Sequence, residues 1–277
     1  MRKIFLAITV ILVAISSSFA QVKEGKLIFE RKINMYRMIT DPEMRARIPE
    51  FRTEKFELLF NEQASMFKTI PEEEAPDPFA NSGGGGGDRG GMRFNFRMPE
   101  TATYTDIPNQ MQYESRSLFE KDFLIVDSLK PNKWKLSDET KTIAKFVCKK
   151  ATTMITPQQM NMRFGGGGRN RNNPDTAAPV KPKEVELVVW YTESIPVSVG
   201  PDAYAGLPGA ILEVDSDNGG NVITASEFTA KYAAKELKQP TKGDKMNRAQ
   251  FAESMKKIME DMQRGGGMGG MRIRVNQ

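Results

Sequence analysis

The backbone of this chain is most tightly constrained just after residue 203, where the sequence reads Tyr204-Ala205-Gly206-Leu207-Pro208-Gly209-Ala210-Ile211. Gly206 and Gly209 can adopt backbone angles that other residues avoid. Pro208 fixes its own φ and pushes the residue before it into an extended conformation. The stretch therefore predicts a stiff turn that leads into a strand. No helix and no Lys-Ser/Thr pair follows it, which argues against a phosphate-binding loop.

The N-terminus has the pattern of a secretory signal peptide. Arg2 and Lys3 precede an apolar run from Ile4 to Ala14, and Ser18-Phe19-Ala20 is a small-x-small ending. We expect cleavage after Ala20, so residues 1–20 are assigned to the signal peptide and the mature chain is exported. No later segment approaches the roughly 20 apolar residues of a membrane-spanning helix. The mature chain is therefore expected to contain no transmembrane helix.

Missing residue types exclude several kinds of site. The chain has no histidine, which excludes Ser-His-Asp and Cys-His catalysis and His-ligated zinc. Cys148 is the only cysteine, so no intrachain disulfide can form. Its flanks, Phe146-Val147 and Lys149-Lys150, place it in a strand, and because free cysteine usually behaves as a small hydrophobic residue, a buried, unreactive thiol is predicted. The 40 basic residues less Arg2 and Lys3 leave 38 against 35 acidic residues. This near balance, without a recognisable binding module, argues against a nucleic-acid partner. We expect no cofactor.

Alternating apolar and polar residues predict β-strands along most of the chain, for example over Leu27 to Met35, Phe56 to Phe60 and Val185 to Tyr191. Near the C-terminus, Asp244 is expected to cap a helix that runs to about Gln263. Its apolar residues fall on one stripe, namely Phe251, Met255, Ile258, Met259 and Met262. The fold class predicted is mainly β, an antiparallel sheet with a C-terminal amphipathic helix.

Glycine-rich tracts interrupt this pattern. We expect disordered insertions at about 71–100 and 157–183, because such segments bury too little apolar surface to offset their ordering entropy. Residues 21–263 are otherwise expected to form a single β-rich domain, followed by a Gly/Met-rich tail over 264–277. Thr176, in the second insertion, lies in a short sequence that resembles an O-glycosylation acceptor.

An ordered series of motifs runs from about residue 133 to residue 226. Its members are Trp134-Lys135-Leu136, Glu139-Thr140-Lys141, Cys148-Lys149-Lys150-Ala151, Trp190-Tyr191-Thr192, Ile195-Pro196, Gly200-Pro201 and Gly206-Leu207-Pro208-Gly209-Ala210-Ile211. This series resembles the GLPGLI family of exported proteins from Bacteroidota. Ala210 stands where that family usually has Leu, a small loss of apolar volume within the motif.

The resemblance implies a protein of the periplasm or of the periplasmic face of the outer membrane, since some members are encoded beside TonB-dependent receptor components. It also implies a curved, half-barrel-like sheet similar to lipoprotein-carrier domains. It brings no assigned activity. It marks two sets of residues: a motif that is also a candidate partner contact, Tyr204, Gly206, Leu207, Pro208, Gly209, Ala210 and Ile211, and a structural set, Trp134, Cys148, Trp190, Tyr191 and Pro196.

The leading hypothesis is a non-catalytic binding or accessory protein of the envelope. Its ligand would be a protein, a peptide or a lipid-like molecule, with a TonB-dependent receptor component among the candidate partners. Two alternatives stay open. One is a hydrolase that uses carboxylates alone, for which Glu72-Glu73-Glu74 and the pair Glu184 and Glu186 are the available groups. The other is copper handling by thioethers, for which the sequence offers Met160/Met162, Met259/Met262 and Met268/Met271.

The turn after the Ala210 strand has some features of a calcium loop, with Asp215, Asp217 and Asn221 around Gly219-Gly220. A calcium loop of that kind needs a bidentate Glu at its twelfth position, which here is Ser226. A hairpin turn is therefore predicted instead.

Overall fold

The structure is a computed structural model that describes residues 22–71, 101–156 and 184–264, apart from positions 38, 40, 41, 47, 119, 120, 131 and 203. The signal peptide, nearly all of the two predicted insertions, Thr176 and the tail beyond residue 264 lie outside the described residues.

In the described part of the chain, twelve β-strands form one sheet, which confirms the mainly β fold predicted from the alternating pattern. The strands are β1 (Gly25–Asn34), β2 (Phe51–Phe60), β3 (Ala64–Thr69), β4 (Thr101–Asp106), β5 (Met111–Leu118), β6 (Lys121–Ser128), β7 (Lys135–Ile143), β8 (Phe146–Ile155), β9 (Val185–Thr192), β10 (Ala210–Asp215), β11 (Asn221–Thr229) and β12 (Asp244–Met246). The helices are α1 (Pro42–Arg45) and α2 (Arg248–Arg264), with 3-10 turns at Met35–Arg37 and Ala234–Glu236.

The strands lie in the order β12-β6-β5-β4-β3-β2-β1-β11-β10-β9-β8-β7. Neighbours pair antiparallel except β12, which runs parallel to β6. Parallel neighbours need a long connection that crosses the sheet. Here the chain leaves β11, which pairs with β1, and crosses to the far edge of the sheet, where β12 lies beside β6. The sheet therefore departs from the predicted antiparallel pairing at this edge.

The sheet is strongly curled at its β7 end. Strands β7 and β11 approach within 8 Å between Cα atoms, although three strands lie between them. In a flat sheet four strand spacings would separate them by about 19 Å. Lys141 Nζ on β7 also lies 2.5 Å from Glu213 Oε1 on β10. The curvature implied by the family resemblance is present at this end.

One face of the sheet, called here the inner face, carries the main core. It includes Leu27 and Phe29 of β1, Leu58 of β2 and Phe67 of β3, each at most 4% exposed. Residues 193–209, called here the inner segment, pack into the same core through the buried side chains Ile195, Val197, Val199 and Leu207. A single sheet needs a second layer to cover its apolar face, and the inner segment supplies part of that layer.

Helix α2 covers the inner face at the other end of the sheet. Phe251 and Met255 of α2 pack with Phe123 and Ile125 of β6 in a separate small core. Phe251 meets Phe123 edge to face, with 5.4 Å between ring centroids. The side chains of Met259 and Met262, expected on the same stripe, lie outside the described residues.

The helix begins later than predicted, because Asp244 belongs to β12 and is not its cap. Asn247 caps α2 instead. The Gln250 backbone N–H donates to Asn247 Oδ1, and the Asn247 N–H donates to Gln250 Oε1, both at 2.9 Å. This reciprocal capping box satisfies two backbone donors that Asp244 could not reach from inside a strand. Neither described helix is long and apolar enough to cross a membrane.

The turn between β7 and β8 gives a stability prediction. Ala144 and Lys145 have φ of 46° and 73°, a left-handed conformation that costs a non-glycine residue roughly 1–2 kcal/mol. We expect Lys145→Gly to raise the free energy of unfolding by about 1 kcal/mol, measured by urea denaturation. Lys55→Gly, at an exposed position within β2, is the matched control and should lower it. A loss of stability in Lys145→Gly would show that the turn is not strained.

Candidate functional site

The Gly206 to Gly209 motif lies within the inner segment and is held there by backbone hydrogen bonds. The Ala210 N–H donates to Ile195 O at 3.0 Å, and the Ile211 N–H donates to Val199 O at 2.8 Å. The Gly206 N–H donates to Ser198 Oγ at 2.7 Å, and Gly206 has a φ of 91°, which favours glycine. The motif is thus a folded corner between β9 and β10, as its composition predicts.

Gly209 marks the closest backbone approach in this corner. A Cβ atom at this position would lie 2.0 Å from the Thr192 carbonyl oxygen, so no side chain fits. Leu207 is only 3% exposed, and Ala210 and Ile211 are fully buried. Of the motif residues expected to contact a partner, the structure therefore leaves Tyr204 partly exposed and Gly206 and Pro208 exposed.

An ion pair fastens the inner segment to the sheet. Arg31 Nη2 lies 2.7 Å from Asp202 Oδ1 and 2.6 Å from Oδ2. The Arg31 guanidinium also lies 4.6 Å from the centroid of the Phe56 ring. Asp202 has a φ of 55°, so this pairing holds a residue in a conformation it would otherwise avoid. Burial raises the pKa of the adjacent Tyr204 phenol above its usual value.

The motif residues expected to be structural are mostly placed that way. Trp134 Nε1 donates to Ala205 O at 3.0 Å, which joins the start of β7 to the inner segment. Tyr191 is 2% exposed in the core. Trp190 is half-buried, with Lys141 Nζ 5.1 Å from its ring centroid, whereas Pro196 is exposed.

The other residues singled out from the sequence do not come together in one site within the described part of the chain. Asp215 accepts hydrogen bonds from the Gly219 N–H at 2.8 Å, so this region is the predicted hairpin turn. Within the described ranges, no three Cys, Asp or Glu side chains converge as a metal site. Glu184 and Glu186 are exposed, while Glu72-Glu73-Glu74 and the methionine pairs outside α2 lie beyond the described residues.

A row of buried polar side chains on the inner face was not anticipated from the sequence. One line of residues that crosses the sheet through successive cross-strand pairs reads Leu27, Leu58, Phe67, Thr103, Glu114 and Ile125. The line is apolar on β1 to β3 and polar on β4 and β5. The next line continues the polar row with Ser65, Thr105 and Gln112. All five of these polar residues are at most 9% exposed. We call Ser65, Thr103, Thr105, Gln112 and Glu114 the polar row.

Two arginines bracket the buried carboxylate of Glu114. Arg116 Nε pairs with Glu114 Oε1 at very short range, and Arg248 Nη2 of α2 lies 3.2 Å from Glu114 Oε2. Arg248 Nη2 also donates to Gln112 Oε1 at 3.2 Å. The Arg116 guanidinium lies 5.7 Å from the centroid of the Phe251 ring. We call Glu114 together with Arg116 and Arg248 the Arg-Glu-Arg cluster. It joins the polar row to the first turn of α2.

Some hydrogen-bonding capacity in this region is left unused. Gln112 Nε2 is buried and finds no acceptor among the described residues. Glu54 Oε1 lies 3.2 Å from Arg52 Nε, but the pair lacks hydrogen-bond geometry. Buried donors without partners are rare in folded proteins, because each loses its bonds to water. Gln112 Nε2 is therefore a buried donor that a bound water or a ligand can satisfy.

The elements that cover the inner face leave a small cavity and an open groove beside them. Where the inner segment meets the polar row there is a cavity of about 10 Å³, the size of one water, lined by Ser65, Thr105, Ser198, Asp202 and Tyr204 among others. An open groove of about 450 Å³ runs between β12 and α2, lined by Lys245, Met246, Gln250, Glu253, Ser254 and Lys257. The helix thus stands partly clear of the sheet edge.

The close contact at Gly209 predicts a severe effect of the smallest substitution. We expect Gly209→Ala to lower the free energy of unfolding by more than about 3 kcal/mol, because the new methyl group collides with the Thr192 carbonyl. Gly219→Ala is the matched control. Nothing lies within 4 Å of its Cβ position, so only its φ of 82° is penalised, at roughly 1 kcal/mol. Equal losses in the two variants, measured by urea unfolding, would contradict this account.

Cys148 gives a pH-dependent prediction. Burial raises the pKa of its thiol from 9.0 to about 11, so the folded chain keeps the proton while the unfolded chain loses it above about pH 9. Stability is therefore lost as the pH rises from about 9 toward 11, by roughly 1–3 kcal/mol. We expect Cys148→Ala to show a smaller loss across this range in urea unfolding. The folded thiol should also resist iodoacetamide at pH 8, and rapid labelling of folded protein would contradict its burial.

Residues 134–213 match the model of a family described as "Protein of unknown function (Porph_ging)". The match lies within the motif series of residues 133–226 and covers β7 to β9, the inner segment and most of β10. No curated protein matches the chain.

Two crystal structures of PNGF-II, in space groups C2 and P21, are similar in fold. Their TM-scores are 0.50 and 0.51 at 13% and 12% sequence identity, over 84% and 85% of this chain. This chain spans only 33% of the length of each PNGF-II chain. At such identity the likeness is one of fold. By sequence, the part of the chain from Trp134 to Glu213 is similar to a family of unknown function.

Proposed function

We propose that this chain is an exported, non-catalytic binding protein of the GLPGLI type. It acts in the periplasm or at the periplasmic face of the outer membrane and holds its ligand on the inner face, between β5–β6 and helix α2. The observation that carries the proposal is the pair of buried polar side chains Gln112 and Glu114, with the unused Gln112 donor, next to a helix that has few buried side chains.

The other half of the inner face is a poor place for a ligand. There the inner segment contributes four buried apolar side chains, is tied by backbone hydrogen bonds and is fastened by the Arg31–Asp202 ion pair. Gly209 packs so closely on Thr192 that the corner cannot shift without losing that contact. Binding there would require removal of the main core, whose loss would unfold the sheet.

Helix α2 is much easier to displace. Among its described side chains only Phe251 and Met255 are buried. Full burial of each is worth roughly 1.5–3 kcal/mol, so docking of the helix contributes only a few kcal/mol. Elements with few buried contacts open at a lower free energy than the whole fold. A ligand can therefore reach Gln112 and Glu114 when α2 lifts, while the sheet stays intact.

The polar row fits this role better than a purely structural one. A helix that only covered the sheet would be held most firmly by apolar residues on β4 and β5, because a buried ion cluster loses much of its attraction to desolvation. Gln112 and Glu114 instead present amide and carboxylate groups to Arg248 of α2. Such groups orient a bound molecule within an otherwise apolar site.

The test uses the mature chain, exposed to a peptide and lipid extract of its own envelope and then examined by native mass spectrometry. We expect the wild-type protein to retain a bound small molecule. Ile125→Trp places an indole ring where the ligand would lie beneath α2 and should abolish this retention. The control Val147→Trp adds the same bulk at a side chain that is 63% exposed on β8, and should retain the ligand.

Thermal unfolding of both variants shows whether they remain folded. A wild-type protein without a bound molecule, or equal retention by the two folded variants, would contradict the proposal.

A further inference from the structure

We propose that the ligand held beneath α2 is a carboxylate amphiphile, a fatty-acid-like molecule whose head group binds Arg248 and Gln112 while its chain lies on Phe123 and Ile125. This inference rests on the proposed function and names the chemistry that the same site recognises.

The charge of the site favours an anion. The Arg-Glu-Arg cluster holds two guanidinium groups and one buried carboxylate, which leaves one positive charge in excess. On β6, Asp122 is engaged elsewhere, 2.7 Å from Lys242 Nζ and 2.6 Å from Ser117 Oγ. Asp127, the cross-strand neighbour of Gln112, accepts a hydrogen bond from the Ser128 N–H at 2.9 Å. A ligand carboxylate would balance the cluster at the point where α2 begins.

The unused donor of Gln112 lies at the same point. Arg248 fixes the orientation of this amide, because a flipped amide would turn its NH2 group toward a guanidinium that can only donate. Nε2 therefore shares an amide group with the oxygen that Arg248 contacts. One ligand carboxylate can accept from Gln112 Nε2 and from Arg248 together, since each of its oxygens accepts hydrogen bonds.

Apolar groups continue directly from these donors. Phe251 lies under the Arg116 guanidinium and against Phe123, and Met255 follows one turn later. Leu118, Met246 and Ile258 pack around the same cluster. When α2 lifts, an acyl chain can replace Phe251 and Met255 on the surface of Phe123 and Ile125. Charged donors at one end of an apolar strip are the arrangement that an anionic amphiphile needs.

The chain provides a hinge for this exchange. Before the helix, β12 is paired with β6, and Gly243, with a φ of 116°, packs so closely that a Cβ would lie 2.8 Å from the Phe123 carbonyl carbon. Residues 243–246 are therefore held to the sheet, and α2 pivots at Asn247. Arg248 then passes from Glu114 to the ligand, while Glu114 keeps Arg116 as its partner.

The inference is tested by calorimetric titration of the full mature chain with dodecanoate, and with dodecanol as the neutral analogue. We expect dodecanoate to bind in the micromolar range and dodecanol at least tenfold more weakly. Arg248→Gln should weaken dodecanoate binding roughly ten- to a hundred-fold, the effect of losing one charge-assisted hydrogen-bonded pair. Arg248→Lys should recover part of the affinity. Lys256→Gln, at an exposed position on α2, is the control and should bind as the wild type does.

Amide hydrogen exchange supplies a readout that a merely structural Arg248 would not change. Dodecanoate should alter the exchange of α2 and β5 in the wild type and not in Arg248→Gln. Equal binding of dodecanol and dodecanoate, or an unchanged affinity in folded Arg248→Gln, would overturn the carboxylate assignment. Absence of dodecanoate binding would overturn it as well. In each case, native mass spectrometry could still detect a molecule bound to the wild type and absent from Ile125→Trp. That result would uphold a ligand site beneath α2 while the carboxylate assignment fails, so the two proposals can be told apart.

Discussion

The contact between Gly209 and the Thr192 carbonyl is the constraint on which the inner layer of this protein depends. It brings the start of β10 back against the end of β9, so the inner segment between them must fold onto the inner face. A single sheet cannot leave an apolar face in water, and this chain covers it with its own connection instead of a second sheet. The turn motif therefore determines the core, since Ile195, Val199 and Leu207 can reach Phe29 and Phe67 only from that connection.

The second layer has two unequal parts. The inner segment is joined to the sheet by close packing, backbone hydrogen bonds and an ion pair, whereas α2 relies on two buried side chains and the Arg-Glu-Arg cluster. Close packing is lost all at once when it is disturbed, while an ion cluster can exchange one partner for another. The first part therefore suits a permanent core and the second suits a reversible cover.

This division also separates the family likeness from the proposed site. The residues matched by the family model form β7 to β9, the inner segment and most of β10. Within them, the ion pair of Lys141 and Glu213 joins β7 to β10. Gln112, Glu114 and Arg248 lie outside that match. The matched region supplies the inner segment and the strands at the curled end of the sheet, and the groups that can recognise a ligand come from the strands and helix outside it.

The sequence by itself determined the mainly β class, the corner at Gly206 to Gly209, the buried thiol and the C-terminal helix, because strand periodicity, glycine geometry and side-chain polarity act over short stretches of chain. It did not reveal that β12 runs parallel, that Asn247 caps α2, or that Leu207 faces the core. Nor did it reveal the polar row. Gln112 and Glu114 alternate along β5 like residues of a solvated face, and only the pairing of β5 with β4 and β6 beneath α2 buries them. Tertiary structure decided this, since the inner face is defined by strands distant in sequence.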